Sequence, residues 1–148
     1  MKIKQIKKMM ISGISVTTNN ENEITEGKDK IAQLWENYTQ NHIYTKTLDK
    51  VKDISMYGVY SNYASDQNGD YDFTVGVEVT KPKNALTIEN ERYLVFSKKG
   101  ELPQITFDTW EEISEYFENN NEYTRKYSVD FEKYSVEDEI EIYVSIEK

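Results

Sequence analysis

Apolar residues recur along this chain with two different periods, and each period predicts its own elements. Between Lys28 and Gln40, the residues Ile31, Leu34, Trp35 and Tyr38 fall at i, i+3, i+4 and i+7, on one face of a helix. The stretch from about Phe107 to Glu118 repeats this through Trp110, Ile113, Tyr116 and Phe117. Elsewhere the period is two. Tyr71 to Thr80 sets Phe73, Val75, Val77 and Val79 against Asp72, Thr74, Gly76 and Glu78; Met56 to Tyr63 sets Tyr57, Val59 and Ser61 against Gly58, Tyr60 and Asn62. The polar run Ser65 to Asp70 joins these two strands as a hairpin, with Asn68-Gly69 suited to positive φ in its turn. Met9 to Thr18, Glu91 to Lys98, Tyr127 to Tyr134 and Glu139 to Ile146 read as further strands. Asn19 to Glu26 reads as a loop, and Lys81 to Asn90 as a connection between two halves.

The resulting order is strand, helix, strand, strand, twice over. The dipeptides Trp35-Glu36 and Trp110-Glu111 stand about half of the 148 residues apart, each tryptophan on its helix's apolar face. The expected fold is α+β: duplicated strand-helix-strand-strand modules with pseudo-two-fold symmetry, in an antiparallel sheet with both helices on one side. One domain over residues 1–148 is expected, with half-modules of about 1–80 and 81–148 and a ligand cleft where they meet.

Charge and composition narrow the function. A formal net charge of −9 repels phosphate backbones, so direct nucleic-acid binding is disfavoured, while small cations gather near such a surface. The absence of cysteine excludes disulfides, thiolate metal sites and a cysteine nucleophile. The single histidine, His42, follows a helix and is expected at the surface. No metal-ligand spacing or glycine-rich phosphate loop occurs, and neither a metal nor a cofactor is expected. Lys2, Lys4, Lys7 and Lys8 before Met9 to Val16 imitate a secretion signal only faintly, since the apolar stretch is short and broken by Ser and Gly. No run approaches the roughly 20 apolar residues of a membrane span, and the cytoplasm is the expected compartment.

Aromatic supply is what stands out: 2 Trp, 12 Tyr and 5 Phe. Any single ring is explained by strand packing. Several around one cleft, however, would attract a desolvated cation by roughly 0.5 to 2 kcal/mol each. A carboxylate behind that cation would add to the attraction. Val129 to Tyr134 offers candidates, with alternation placing Asp130, Glu132 and Tyr134 on one face and Phe131 on the other. Taken alone, Glu132 reads as an exposed strand carboxylate, and a buried role is the less favoured alternative.

These features are similar to a known family. Leu34-Trp35-Glu36, Met56 to Tyr63 with Ser65-Asp66, Gly69 to Phe73, Val75 to Glu78, Arg92 to Phe96, Thr109-Trp110-Glu111, Asp130 to Tyr134 and Glu141 to Val144 resemble, in order, the effector-binding domains of gyrase-inhibitory-like proteins and AraC-type transcription activators. The resemblance implies two like halves enclosing a cleft for hydrophobic, often cationic compounds, with a central glutamate that corresponds by position to Glu132. The candidate ligand-binding set is then Glu132, Trp35, Tyr60, Tyr63, Tyr93, Trp110 and Phe131. It also implies an alternative: hydrolysis of reactive cyclopropane-type compounds, with Glu132 as general base and Tyr93 polarising the leaving oxygen. A third reading is a protein-interaction module acting on a regulator or on gyrase. The chain resembles the free-standing form of the domain.

Overall fold

The computed structural model describes residues 1–89, 91–136 and 138–147. Its elements in chain order are β1 (Lys2–Ile6), β2 (Met9–Thr18), α1 (Asn20–Glu23), α2 (Ile31–Gln40), α3 (Ile43–Lys46), β3 (Met56–Ser61), β4 (Tyr71–Val79), β5 (Leu86–Ile88), β6 (Glu91–Lys99), α4 (Gln104–Asn119), β7 (Asp130–Val136) and β8 (Glu139–Ser145). All eight strands join one sheet in the order β1-β6-β8-β7-β3-β4-β2-β5, every pair antiparallel. Inside the two margins the order reads β6-β8-β7 and then β3-β4-β2. The modules β2-α2-β3-β4 and β6-α4-β7-β8 therefore meet at the β3–β7 pair, as a two-fold relation requires.

Connectivity forces the sheet to curl. Two residues separate β1 from β2, although five strands, and so six inter-strand spacings, lie between them in the sheet. Six spacings span about 29 Å when flat, whereas the connecting chain reaches about 11 Å at most. Two residues likewise join β5 at one margin to β6 near the other. The inside of the curl is filled by one apolar cluster that unites Ile11 and Ile88 from one margin, Tyr93 and Val95 from the other, and Tyr57, Val59 and Phe131 from the centre.

The outer face carries both long helices. α2 lies on β2 and β4 through Leu34, Tyr38, Phe73 and Val75; α4 lies on β6 and β8 through Ile105, Ile113, Ile142 and Val144. Each fully buried Ile or Phe here contributes roughly 1.5–3 kcal/mol. Between the helices, the groove above β3 and β7 is filled by the protein's own rings, Trp35, Tyr60, Trp110 and Tyr134.

Several expectations are corrected. The helix α1 lies in the segment read as a loop and β5 in the segment read as a connection, while β1 and α3 lie where no element was expected. The positive φ near the β3–β4 turn falls on Asn62 (50°), not on Asn68-Gly69. Asp66 organises that tip instead, its carbonyl accepting from Gly69 N at 3.2 Å and its carboxylate from Asn68 N at 2.9 Å. β7 starts at Asp130 rather than Tyr127, whose φ of 56° is incompatible with a strand. His42 is exposed, between α2 and α3, with φ of 53°.

Gly13 and Gly76 face each other across β2 and β4. A Cβ on Gly13 would stand 1.8 Å from the Val75 carbonyl oxygen, a backbone atom that cannot swing aside. Gly13→Ala is accordingly expected to lower stability by about 1–3 kcal/mol in urea unfolding, even though alanine ordinarily favours the folded state at a compatible backbone position. Unchanged stability would mean that the two strands can separate without cost.

Candidate functional site

The groove's floor is the β3–β7 pair, with Gly58 directly opposite Glu132. Gly58 is required by the close approach of its neighbours: a Cβ there would meet Phe73 Cζ at 2.6 Å and Glu132 Oε1 at 3.0 Å. The glycine makes room for a carboxylate that is only 2% exposed. Three aromatic donors hold it. Tyr60 Oη donates to Glu132 Oε2 at 2.7 Å, Trp110 Nε1 to the same oxygen at 2.8 Å, and Tyr134 Oη to Oε1 at 2.7 Å. These donors come from β3, α4 and β7. Tyr134 lies where the β7–β8 register shifts, a bulge of the kind that re-aims a side chain. Because its proton goes to Glu132, its oxygen accepts from Thr106 Oγ1 at 3.2 Å. Helix α2 contributes Trp35, whose ring meets Tyr134 edge-on at 5.5 Å, and Tyr60 meets Trp110 in the same manner at 5.3 Å.

Burial pushes the Glu132 carboxyl above the ordinary value of 4.5, while the hydrogen bonds from Tyr134, Trp110 and Tyr60 pull the other way. The hydroxyls of Tyr60 and Tyr134 are pushed upward, by burial first and then by the adjacent Glu132, so both remain donors. Among the ion pairs of the described residues, Glu132 takes part in none. Among the described residues, the burial of this carboxyl is offset by hydrogen bonds alone and by no ion pair.

Two residues earlier, Asp130 solves the same problem within the chain. Its Oδ2 accepts from Arg125 Nη2 and Tyr63 Oη, each at 2.7 Å, and its Oδ1 from Ser145 N at 2.7 Å and Ser145 Oγ at 2.8 Å. Arg125 lies over the Tyr127 ring, Cζ to centroid 4.3 Å, and burial of its charge is outweighed by Asp130, which holds its pKa above the ordinary value.

Of the residues expected to bind a ligand, Trp35, Tyr60, Trp110 and Glu132 come together. Tyr63 reaches Asp130 rather than Glu132. Tyr93 and Phe131 are corrected: both belong to the cluster inside the curl, on the opposite face of the sheet, where they pack against each other at 5.3 Å. Strand alternation had already placed Phe131 there. The pairing of Glu132 with Tyr93 fails for the same reason, and the hydroxyls beside Glu132 are those of Tyr60 and Tyr134. Tyr134 was legible as an i+2 neighbour of Glu132; Gly58 was legible only as its partner's register; Arg125 and Tyr127, in the loop before β7, carried no periodic signal.

Two surface hollows lie away from this groove, one bordered by Gly100, Glu101, Leu102 and Asp138, the other including Ser12, Lys46, Lys81 and Lys83. Over Glu132 itself the protein's own rings are packed, with Tyr60, Trp110 and Tyr134 bonded to the carboxyl and Trp35 against Tyr134. Among the described residues no group of three or more acidic or histidine side chains could hold a metal ion, and no helix is long and apolar enough to cross a membrane.

A curled eight-stranded antiparallel sheet carrying helices on its outer face is the fold of the effector-binding proteins that this chain resembles. The chain matches integron-associated effector-binding proteins, the Cass2 family, over residues 2–146, and belongs to that family. The Vibrio cholerae integron cassette protein VCH_CASS2 has the same fold, with a TM-score of 0.86 and 29% identity over 99% of this chain and 95% of that one. The structure of SAV2435, bound to tetraphenylphosphonium, superposes with a TM-score of 0.80 at 19% identity, covering 99% of this chain and 93% of that one. A Bacillus subtilis relative, "Putative transcriptional regulator protein YobU", is 29% identical over 93% of this chain and 91% of its own length.

The elevated Glu132 pKa links stability to pH. The folded state binds the Glu132 proton more tightly than the unfolded chain does, so this group's contribution is full below 4.5 and is lost as pH rises through the elevated folded value. Urea unfolding across that window is expected to show wild type losing stability relative to Glu132→Gln as pH rises. A difference independent of pH would show that the carboxyl titrates normally.

Proposed function

We propose that this protein binds a hydrophobic organic cation in the groove between α2 and α4, with Glu132 as its counter-ion and the rings of Trp35, Tyr60, Trp110 and Tyr134 as its walls. The observation that carries this reading is the buried Glu132 carboxylate, which three aromatic donors orient and, among the described residues, no side-chain cation neutralises. Trp and Tyr faces attract a desolvated cation by roughly 0.5–2 kcal/mol each, and a bound cation supplies the charge that burial denies the carboxylate. Membership of an effector-binding family supports small-molecule binding. The tetraphenylphosphonium complex of a protein with this fold supports a lipophilic cation as the probe.

The Bacillus relative's description supports a regulatory role, in which binding alters what the protein offers to a partner. Because the rings now cover Glu132, a ligand that parts them changes the spacing of α2 and α4. That movement is the signal a partner would read. We place the protein in the cytoplasm, where such a regulator would act.

Quenching of Trp35 and Trp110 fluorescence by tetraphenylphosphonium tests the reading. Wild type is expected to bind, and Glu132→Gln to bind at least about tenfold more weakly, the loss of one charge-assisted contact of about 1.4 kcal/mol or more. Equal affinities in the two proteins would remove Glu132 from the site.

A further inference from the structure

The Trp110 indole links two groups of opposite charge. Its Nε1 donates to Glu132, and its ring centroid lies 5.8 Å from Arg125 Cζ. Tyr127 and Phe117 complete the surroundings of the guanidinium, at 4.3 and 6.0 Å. Arginine ordinarily meets a carboxylate with two parallel hydrogen bonds, but here a single nitrogen, Nη2, reaches Asp130. The second oxygen of Asp130 is already taken by Ser145 N and Oγ, and Oδ2 also serves Tyr63. With four bonds accepted, that carboxylate has no lone-pair site left for another donor. Among the described residues the Arg125 Nε–H is buried without an acceptor, and of the five groups so placed, the others being the hydroxyls of Tyr38, Ser61, Tyr93 and Ser128, it alone belongs to a cation.

Buried donors are nearly always satisfied, and an orphan calls for a partner from outside the chain. We propose that Arg125 is a second recognition point of the groove, its Nε–H taking an oxygen acceptor that the ligand carries. The ligand class is then an organic cation with a carbonyl or carboxylate on a short arm, its cationic body over Glu132 and its oxygen at Arg125. This rests on the reading of the groove as a cation site. Trp110 touches both groups, so the displacement that opens Glu132 uncovers Arg125 as well.

Two cations with the same head separate the inference from that reading: carboxybutyl-triphenylphosphonium and pentyl-triphenylphosphonium, titrated by calorimetry. On a chain of net charge −9, an added carboxylate weakens binding unless something local receives it. Wild type is expected to bind the carboxybutyl compound about tenfold more tightly than the pentyl one, the worth of a charge-assisted hydrogen bond. In Arg125→Met/Asp130→Asn, which removes both buried charges together, the preference is expected to vanish or reverse while the affinity for the pentyl compound stays within about threefold. Arg125→Lys, which keeps the charge beside Asp130 but lacks Nε–H, serves if the double variant does not fold, and is expected to reduce the preference. Equal binding of the two cations by wild type, or a preference that survives in whichever variant folds, overturns the inference alone. Failure of wild type to bind either cation overturns both it and the functional reading.

Discussion

The site depends on a buried carboxyl that three aromatic donors orient and that, among the described residues, takes part in no ion pair. Glu132 accepts from Tyr60 on β3, Trp110 on α4 and Tyr134 on its own strand, and Trp35 on α2 leans edge-on against Tyr134. One carboxylate thereby ties the sheet centre to one long helix directly and to the other through a ring. Taking such a group out of water costs several kcal/mol even after relaxation, and neutral donors recover only part of that. A site with this imbalance is stable enough to persist and remains short of one positive charge.

The neighbouring Asp130 shows that the same strand can reach a different balance. It too is buried, yet Arg125 supplies its counter-charge and Ser145 and Tyr63 fill its remaining acceptor sites. Two carboxylates on one face of β7, two residues apart, thus divide into a structural ion pair and an uncompensated acid. The fold makes this division possible. The β3–β7 seam places Glu132 between two helices that cannot meet above it, and Gly58 opposite leaves room for its oxygens. The curl, imposed by the two-residue links at the margins, keeps the inner face filled with its own cluster.

Most of the architecture was legible where a single period dominated. The helix stripes of Ile31 to Tyr38 and Trp110 to Phe117, and the alternation of Phe73 to Val79, each have one buried side, and burial is what a period records. The strand β1 was hidden because its lysines give no alternation, and its pairing with β6 depends on a partner about ninety residues away, beyond any local pattern. Around Glu132, the resemblance and the paired helices pointed to Glu132, Trp35 and Trp110, and the fold brings these side chains near one another, Trp110 against the carboxyl and Trp35 against Tyr134. Phe131 and Tyr93 were drawn in by aromatic character against the alternation that sends them inward. Arg125 escaped notice because its position is set by a loop closing on Asp130 and not by any repeat.

The most direct measurement of the central claim is the titration of the Glu132 side-chain carboxyl by carbon NMR, with and without tetraphenylphosphonium. The account predicts a carboxyl that titrates above the ordinary glutamate value in the free protein and moves downward when the cation is bound. A Glu132 that titrates at the ordinary value, or one whose titration the bound cation leaves unmoved, would contradict it.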